Sequence, residues 1–428
     1  MMPEGATQAS PRGPSRHPGD LRRNWICHVF EGGFYMGGTA FLAPESVLPK
    51  MVQSLGGSPW MIALMPVVLP AAFACAGLFV APKVERLDHH KPWVLAFGLL
   101  QRLPYLLTGL ALLMLDEATN WLLPLVVITP LLSGLLGGVT VVAWMEMVTR
   151  MIPEKWRAAG WSARYAMQAI LGIGAGIAIH ALLNAYPGRH GYGWLHLTTF
   201  TLLMLSWLAQ LPMRESPHPL SRTADPEPIS FPSYLRRLPG LLASVPSLPR
   251  LVAVRFLGTG YLMLAAFLSI HALQLTQRPE ADEGHFVTWQ AAGTVVGSAL
   301  AAWAGYHHGG KLPLMLSRII CVAWCLWLPQ CRSFADFNSA FALLGAGLFL
   351  DRVGDLTLSA ELCPSAKRST LQALLSFCNV LSLLASAALA ALIWKAGGLD
   401  ALCLSAAIMS ALSSLILWSI PEPRRLLA

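Results

Sequence analysis

Ionisable side chains interrupt several otherwise apolar stretches of this chain, and they are the residues with the most chemistry to offer. Glu31, Arg102, Arg255, Asp351, Arg352 and Asp355 all stand in such stretches. A charge near the centre of a membrane helix costs about 2.5 to 3.5 kcal/mol even on a gentle insertion scale, so each needs a partner or a wet cavity. The spacing of FLDRVGDLT puts Asp351 and Asp355 one helical turn apart on one face and leaves Arg352 within reach of Asp355 at i+3. Glu31 follows Trp25 by six residues, about 9 Å along a helix. A carboxyl group in a dry pocket is pushed towards its protonated form and a neighbouring arginine opposes this. Such a group can therefore bind a proton or a charged solute as the pocket changes its hydration. The other use of the same residues is static, as ion pairs that lock helices together. The sequence leaves both open, and it gives Arg102 the further option of bracing a neighbouring helix and Arg255 that of reaching the interface.

Composition decides what must carry these residues. The chain has 428 residues, 55% of them hydrophobic and only 12% charged, and a mean hydropathy of +0.55, which makes lipid its main solvent. Within lipid the backbone must satisfy itself, and the apolar runs are of helix length rather than the alternating ten-residue segments of a barrel. Twelve spans are expected, near 26–46, 59–81, 92–114, 121–149, 159–185, 192–211, 249–273, 286–306, 312–329, 337–361, 369–394 and 398–420. On this map the two chain ends and the even-numbered loops hold 20 Lys and Arg, and the odd-numbered loops hold five. That asymmetry places both termini in the cytoplasm. It also accounts for the net charge of +8 without a basic soluble face, so nucleic acid is not an expected partner.

The expected organisation is a disordered cytoplasmic tail over 1–24, a six-helix bundle over 25–211, a cytoplasmic linker over 212–248, a second six-helix bundle over 249–421 and a short tail over 422–428. Within the linker, basic and apolar residues alternate from Tyr234 to Val245, which reads either as a helix lying on the membrane surface or as plain linker. The two halves echo one another. FEGGFYM at Phe30 parallels FLGTGYL at Phe256, HHKPWVL at His89 parallels GGKLPLML at Gly309, and PEKWRAAG at Pro153 parallels PSAKRSTL at Pro364, with Arg157 and Arg368 each four residues after the proline. Duplication explains matches of this kind at loops. Glu146, Arg157, Arg164 and Arg368, near the cytoplasmic span ends, are expected to form a gating network.

On these features the chain, from Trp25 to Pro421, resembles the major facilitator superfamily, whose members have two six-helix halves, a long central cytoplasmic loop and both ends inside. APKVERLDHHKP at Ala81 and AGYHHGGKLP at Ala304 stand where that family carries its basic loop motif, in degenerate form, with Glu85 and Arg86 at the acidic and basic positions. The opening EGGFYMGGTAFLAPESVLPKMVQSLGGSPWMIAL also looks like a group of bacterial members. The resemblance implies an all-α membrane fold in which spans one, four, seven and ten line a central cavity, and hence places Glu31, Arg255, Asp351, Arg352 and Asp355 on cavity helices.

Other signals carry less. GIGAG at Gly172 has no strand before it and reads as helix packing. Cys321 and Cys325 have no histidine or carboxylate in their span, and no metal or cofactor is expected. His28, His180 and His271 read as neutral, hydrogen-bonded residues of apolar runs, and His307 and His308 as solvated. Disulfides are not expected from eight cysteines that sit mostly in apolar stretches. The expected function is a monomeric secondary transporter of the cytoplasmic (inner) membrane, moving a small polar solute by alternating access, with a proton or another ion for coupling as symport or antiport. The alternatives are a non-transporting sensor or partner protein of the same fold, and a membrane enzyme acting on a lipid-linked substrate. There is no GxxxxGK[ST] loop for ATP and no HExxH, so no catalytic residue is assigned.

Overall fold

The computed structural model describes residues 18–84, 87–115, 120–215, 240, 245–363 and 368–422. Glu85 and Arg86, nearly all of the linker (216–239 and 241–244), the chain ends 1–17 and 423–428, and the side chain of Arg368 lie outside these. So do most of the expected surface helix at 234–245 and most of the tail at 1–24.

Every described element is helical. They are α1 (Pro18–Thr39), α2 (Val47–Ser54), α3 (Pro59–Val84), α4 (Lys91–Met114), α5 (Leu122–Met151), α6 (Glu154–Ala185), α7 (Arg189–Gln210), α8 (Ser247–Leu257), α9 (Gly260–Thr276), α10 (Glu283–His308), α11 (Lys311–Trp327), α12 (Phe334–Leu362) and α13 (Arg368–Trp418). Seven described stretches are long and apolar enough to cross a membrane, from Pro59–Gly77 to Leu374–Trp418. With 29 residues, α12 has the length, but Asp336, Asn338, Asp351 and Arg352 lower its mean hydropathy. The molecule is a multi-pass membrane protein.

Several boundaries differ from the sequence reading. The first helix starts at Pro18 and ends at Thr39, and the chain then turns through a short 3-10 segment into α2, because the polar PES sequence at Pro44 ends the apolar run. The seventh stretch is two helices, α8 and α9, broken at Gly258 and Thr259. The eleventh and twelfth stretches run together as α13 across a kink where Gly398 adopts φ 62°, a backbone conformation open to glycine. At the start of α12, Ser333 and Asp336 form a capping box that satisfies backbone donors at both ends of the first turn.

The packing order determines where a cavity can form. Among the helices before the linker, α1 packs on α6 and α7, α5 on α3 and α4, and α4 on α7; among those after it, α12 packs on α10 and α11, and α13 on α8, α9 and α11. Contact across the linker divide runs through α6 with α10, α3 with α13, and α9 with α2 and α3. At the face away from the linker the buried apolar residues form one cluster that joins both sets, with Val47, Met51, Ile179, Phe267, Phe286 and Phe337 in it. At the linker face there are two separate clusters, one around Met147 and Val148 and the other around Leu251, Leu314 and Leu371. One end is thus sealed by a shared core while the other is split.

Candidate functional site

The split holds a cavity of about 1100 Å³ whose wall includes Tyr165, Arg255, Arg318, Asp351, Arg352 and Asp355, with Glu45 and Gln290. Its charges are organised by two ion pairs. Asp355 accepts from Nε of Arg255 at 2.7 Å, while the same guanidinium donates to Ser359 Oγ at 2.6 Å and to the Leu375 carbonyl at 2.9 Å. Asp351 lies 2.6 Å from Nη2 of Arg318. Arg318 also donates to Ser413 Oγ at 3.1 Å and to the Gly258 carbonyl at 3.2 Å. Gly258 sits in the α8–α9 break, where a Cβ would overlap the Arg318 guanidinium. The break and the missing side chain together make room for the arginine.

The expected i+3 contact between Arg352 and Asp355 is not formed. Both aspartates point towards arginines from other helices, α8 and α11, and Arg352 stands exposed on the cavity wall. Among the described residues Arg352 forms no ion pair within 4 Å; Glu45 accepts from the Gln290 side chain and lies near enough to Arg352 for the two charges to attract. Once the two direct pairs are discounted, the wall presents one charge of each sign, close enough to attract but not in contact.

Two of the candidate binding residues, Glu31 and Arg102, lie off the cavity. Glu31 is 4% exposed and its carboxylate is engaged inside the helices before the linker, at 2.5 Å from Arg164 and 3.3 Å from Gln210 Nε2. Arg164 is held between Trp144 and Trp161, with its Cζ 4.7 and 5.1 Å from the ring centroids, and donates to the His28 carbonyl at 3.0 Å. Gly32 leaves the gap it occupies. So Arg164, expected in a cytoplasmic gate, is instead the counter-ion of Glu31, because α1 and α6 pack along their length. Arg102, 1% exposed, meets no acid; it donates to the Leu203 carbonyl at 2.6 Å, to Ser206 Oγ at 3.3 Å and to the Gly98 carbonyl. It braces α4 against α7.

Of the remaining expected gate residues, Glu146 lies 3.9 Å from Arg150, and Arg157 donates to the carbonyls of Ile152 and Thr149 at 3.0 and 2.6 Å, closing the turn between α5 and α6. Sequence reasoning passed over Arg318 and Glu45. Arg318 had a usable signal, since it stands in an apolar run as Arg102 does. Glu45 stood at the very end of the expected first span, 26–46, and was not weighed.

Several contacts occur twice. Lys91 Nζ donates to the Leu211 and Met213 carbonyls, each at 2.7 Å, and Lys311 Nζ to those of Trp418 and Ile420 at 3.1 and 2.5 Å. Arg102 reaches Ser206 as Arg318 reaches Ser413. Tyr35 accepts from Gln101 at 2.7 Å, and Tyr261 donates to the Ser317 carbonyl at 2.7 Å.

No protein-family model matches the chain, and no curated protein is similar to it in sequence. Solved structures are similar in fold. A POT family transporter in complex with 5-aminolevulinic acid superposes with a TM-score of 0.65 at 13% identity, over 95% of this chain and 96% of that one. A bacterial homologue of the iron transporter ferroportin, in an inward-facing state, gives 0.62 at 14% identity over 94% and 99%. The human organic anion transporter MFSD10 gives 0.60 at 16% identity over 94% and 100%. The chain shares the fold of these proteins over nearly its whole length.

Proposed function

We propose that this protein is a secondary transporter that moves a small zwitterionic solute across the cytoplasmic membrane by alternating access. The observation that carries this reading is the cavity's charge pattern: Arg352 and Glu45 lie near enough to attract one another but form no direct ion pair, in a wall whose other acids and arginines are matched. A solute bearing a carboxylate and an amine supplies a direct partner to each. The 5-aminolevulinic acid held by one fold neighbour is a solute of that kind.

The twelve spans form two six-helix bundles related by duplication, and the paired roles of Lys91 and Lys311 and of Arg102 and Arg318 support that division. The shared core at one end and the split cores at the other suit bundles that rock about a site between them. The excess of Lys and Arg in the linker and chain ends places the open side in the cytoplasm. Asp351 and Asp355 are the carboxylates placed to take up a coupling proton. Protonating either one releases an arginine into the cavity, so proton and solute compete for the same charge. The chain acts as a monomer in the bilayer and does not act as an enzyme.

The test is uptake by the full chain reconstituted in liposomes, with a panel of amino acids, dipeptides, sugars and organic cations, with and without a pH gradient. Saturable uptake of a zwitterion is expected. Arg352→Gln and Glu45→Gln should each raise KM about tenfold or more, the equivalent of one lost charged contact at about 1.4 kcal/mol. Uptake confined to uncharged solutes, or unchanged KM in both variants, would refute the reading.

A further inference from the structure

At the sealed end, α6 meets the start of α10 so closely that side chains from the two sides of the linker divide share one pocket. A Cβ on Gly284 would overlap the Gly176 carbonyl and approach the backbone of His180. This approach brings His180, on α6, against Asp282 and His285, which follow the linker. His180 Nδ1 is 3.4 Å from Asp282 Oδ1, His285 Nε2 is 3.8 Å from the same oxygen, and the imidazole centroids are 4.9 Å apart. One ligand atom from each of the three lies within 4.8 Å of the others.

We propose that His180, Asp282 and His285 bind a divalent transition-metal ion, zinc foremost, and that this ion clamps the sealed end shut. Two ligands of a tetrahedral zinc, each at about 2.0 to 2.1 Å, stand about 3.3 Å apart, so the histidine–aspartate distances of 3.4 and 3.8 Å need little adjustment, while the two imidazole nitrogens, within 4.8 Å of each other, close in by side-chain rotation. Two imidazoles and a carboxylate are a common zinc donor set, with water in the fourth position. Water and metal can reach the site, because the side chains of His180 and His285 are 36% and 46% exposed. The carboxylate is the buried part: Asp282 is 4% exposed and its Oδ2 accepts no hydrogen bond.

The surroundings suit this use. His180 Nδ1 lies 3.1 Å from the Ala281 carbonyl, and its Nε2 is 3.1 Å from the Asn184 side-chain amide. With Nδ1 on the metal, the ring proton moves to Nε2 and the Asn184 amide turns its oxygen to accept it. That outer contact orients a metal-bound imidazole. The competing cation is Arg278, with Nη1 3.7 Å from Asp282 Oδ2. It approaches the oxygen that neither histidine faces. Of the other nearby charges, Lys50 and Glu280 pair with each other at 3.4 Å, and the buried Glu283 carboxylate lies near both.

His180 precedes the linker and the other two ligands follow it, so the ion binds well only when this end is closed. An ion at one hundred times its Kd favours the closed arrangement about a hundredfold. The clamp's effect on transport rests on the alternating-access reading above, whereas metal binding does not.

The experiment uses the purified full chain in detergent, titrated calorimetrically with zinc chloride, for the wild type, His180→Ala, His285→Ala and Asn184→Ala. Hydrogen exchange is followed in 176–185 and 280–288 with and without zinc. One site is expected in the wild type, weakened tenfold or more by either histidine substitution and less by Asn184→Ala, with zinc slowing exchange in both segments of the wild type and in neither histidine variant. Both histidines are partly exposed, and a single symmetric elution peak checks that the variants fold. Zinc binding equal to the wild type in both histidine variants would place the ion elsewhere, on thiols for instance, and overturn the proposal. Loss in His285→Ala without loss in His180→Ala would overturn the clamp, as would no binding at millimolar zinc. None of these readouts uses transport, so a failure of the transporter reading would leave them intact.

Discussion

Replacing Glu31 by glutamine removes one charge from the most enclosed arginine–carboxylate pair among the described residues and leaves its partner in place. The Arg164 guanidinium would remain buried, with the side chains of the pair only 4% and 6% exposed. Breaking a buried pair from one side costs about 3 to 5 kcal/mol, because an uncompensated charge is left without water. Part of this is offset here. Trp144 and Trp161 flank the guanidinium at 4.7 and 5.1 Å, and cation–π attraction at desolvated sites is worth about 0.5 to 2 kcal/mol. The glutamine carbonyl and the His28 carbonyl also still accept from it. The net expectation is a loss of about 2 to 3 kcal/mol. Equilibrium unfolding in mixed detergent micelles measures it, with a double-mutant cycle through Arg164→Met. The double variant Glu31→Gln/Arg164→Met should recover more than half of the loss, since the lone charge is gone. A Glu31→Gln protein within about 0.5 kcal/mol of the wild type, the usual range for an inconsequential substitution, would refute the view that this pair holds α1 to α6 and would return Glu31 to the candidates for coupling.

Gly258→Ala should displace the Arg318 guanidinium, which occupies the space of the new Cβ, and cost about 1 to 3 kcal/mol as an overpacking change; wild-type stability in the same unfolding assay would contradict the described break. The Asp336 carboxyl, outside the apolar part of α12, is held below its usual range by backbone N–H groups of Ser333 and Arg332 and by the Ser333 hydroxyl. Because its folded pKa is lowered, its contribution is complete above the ordinary aspartate pKa, near 4, and is lost as pH falls through the lower folded value. Hydrogen exchange at the start of α12 should therefore accelerate below about pH 4 in the wild type, beyond the intrinsic pH effect, and show no such step in Asp336→Asn. An identical profile in both proteins would count against the capping box.

The apolar helices, their approximate limits and the presence of costly buried charges were legible in the chain, because a bilayer tests each stretch by itself for length and hydropathy. The match of Lys91 with Lys311 was legible too, and both lysines donate to a pair of carbonyls at or just beyond the end of a later helix. The pairing of the charges was not legible. An arginine such as Arg318 reaches several ångströms from its own helix, and which carboxylate it meets depends on how α8, α11 and α12 pack, which hydropathy does not encode. The same holds for Arg164 and Glu31, 133 positions apart, and for the meeting of His180 with Asp282 and His285. Glu45 fell at the end of the expected first span, and the turn after α1 is what brings it to the cavity wall. Lipid thus selects the helices one at a time from local composition, whereas the site arises from long side chains brought together across helices, and those contacts exist only once the helices have packed.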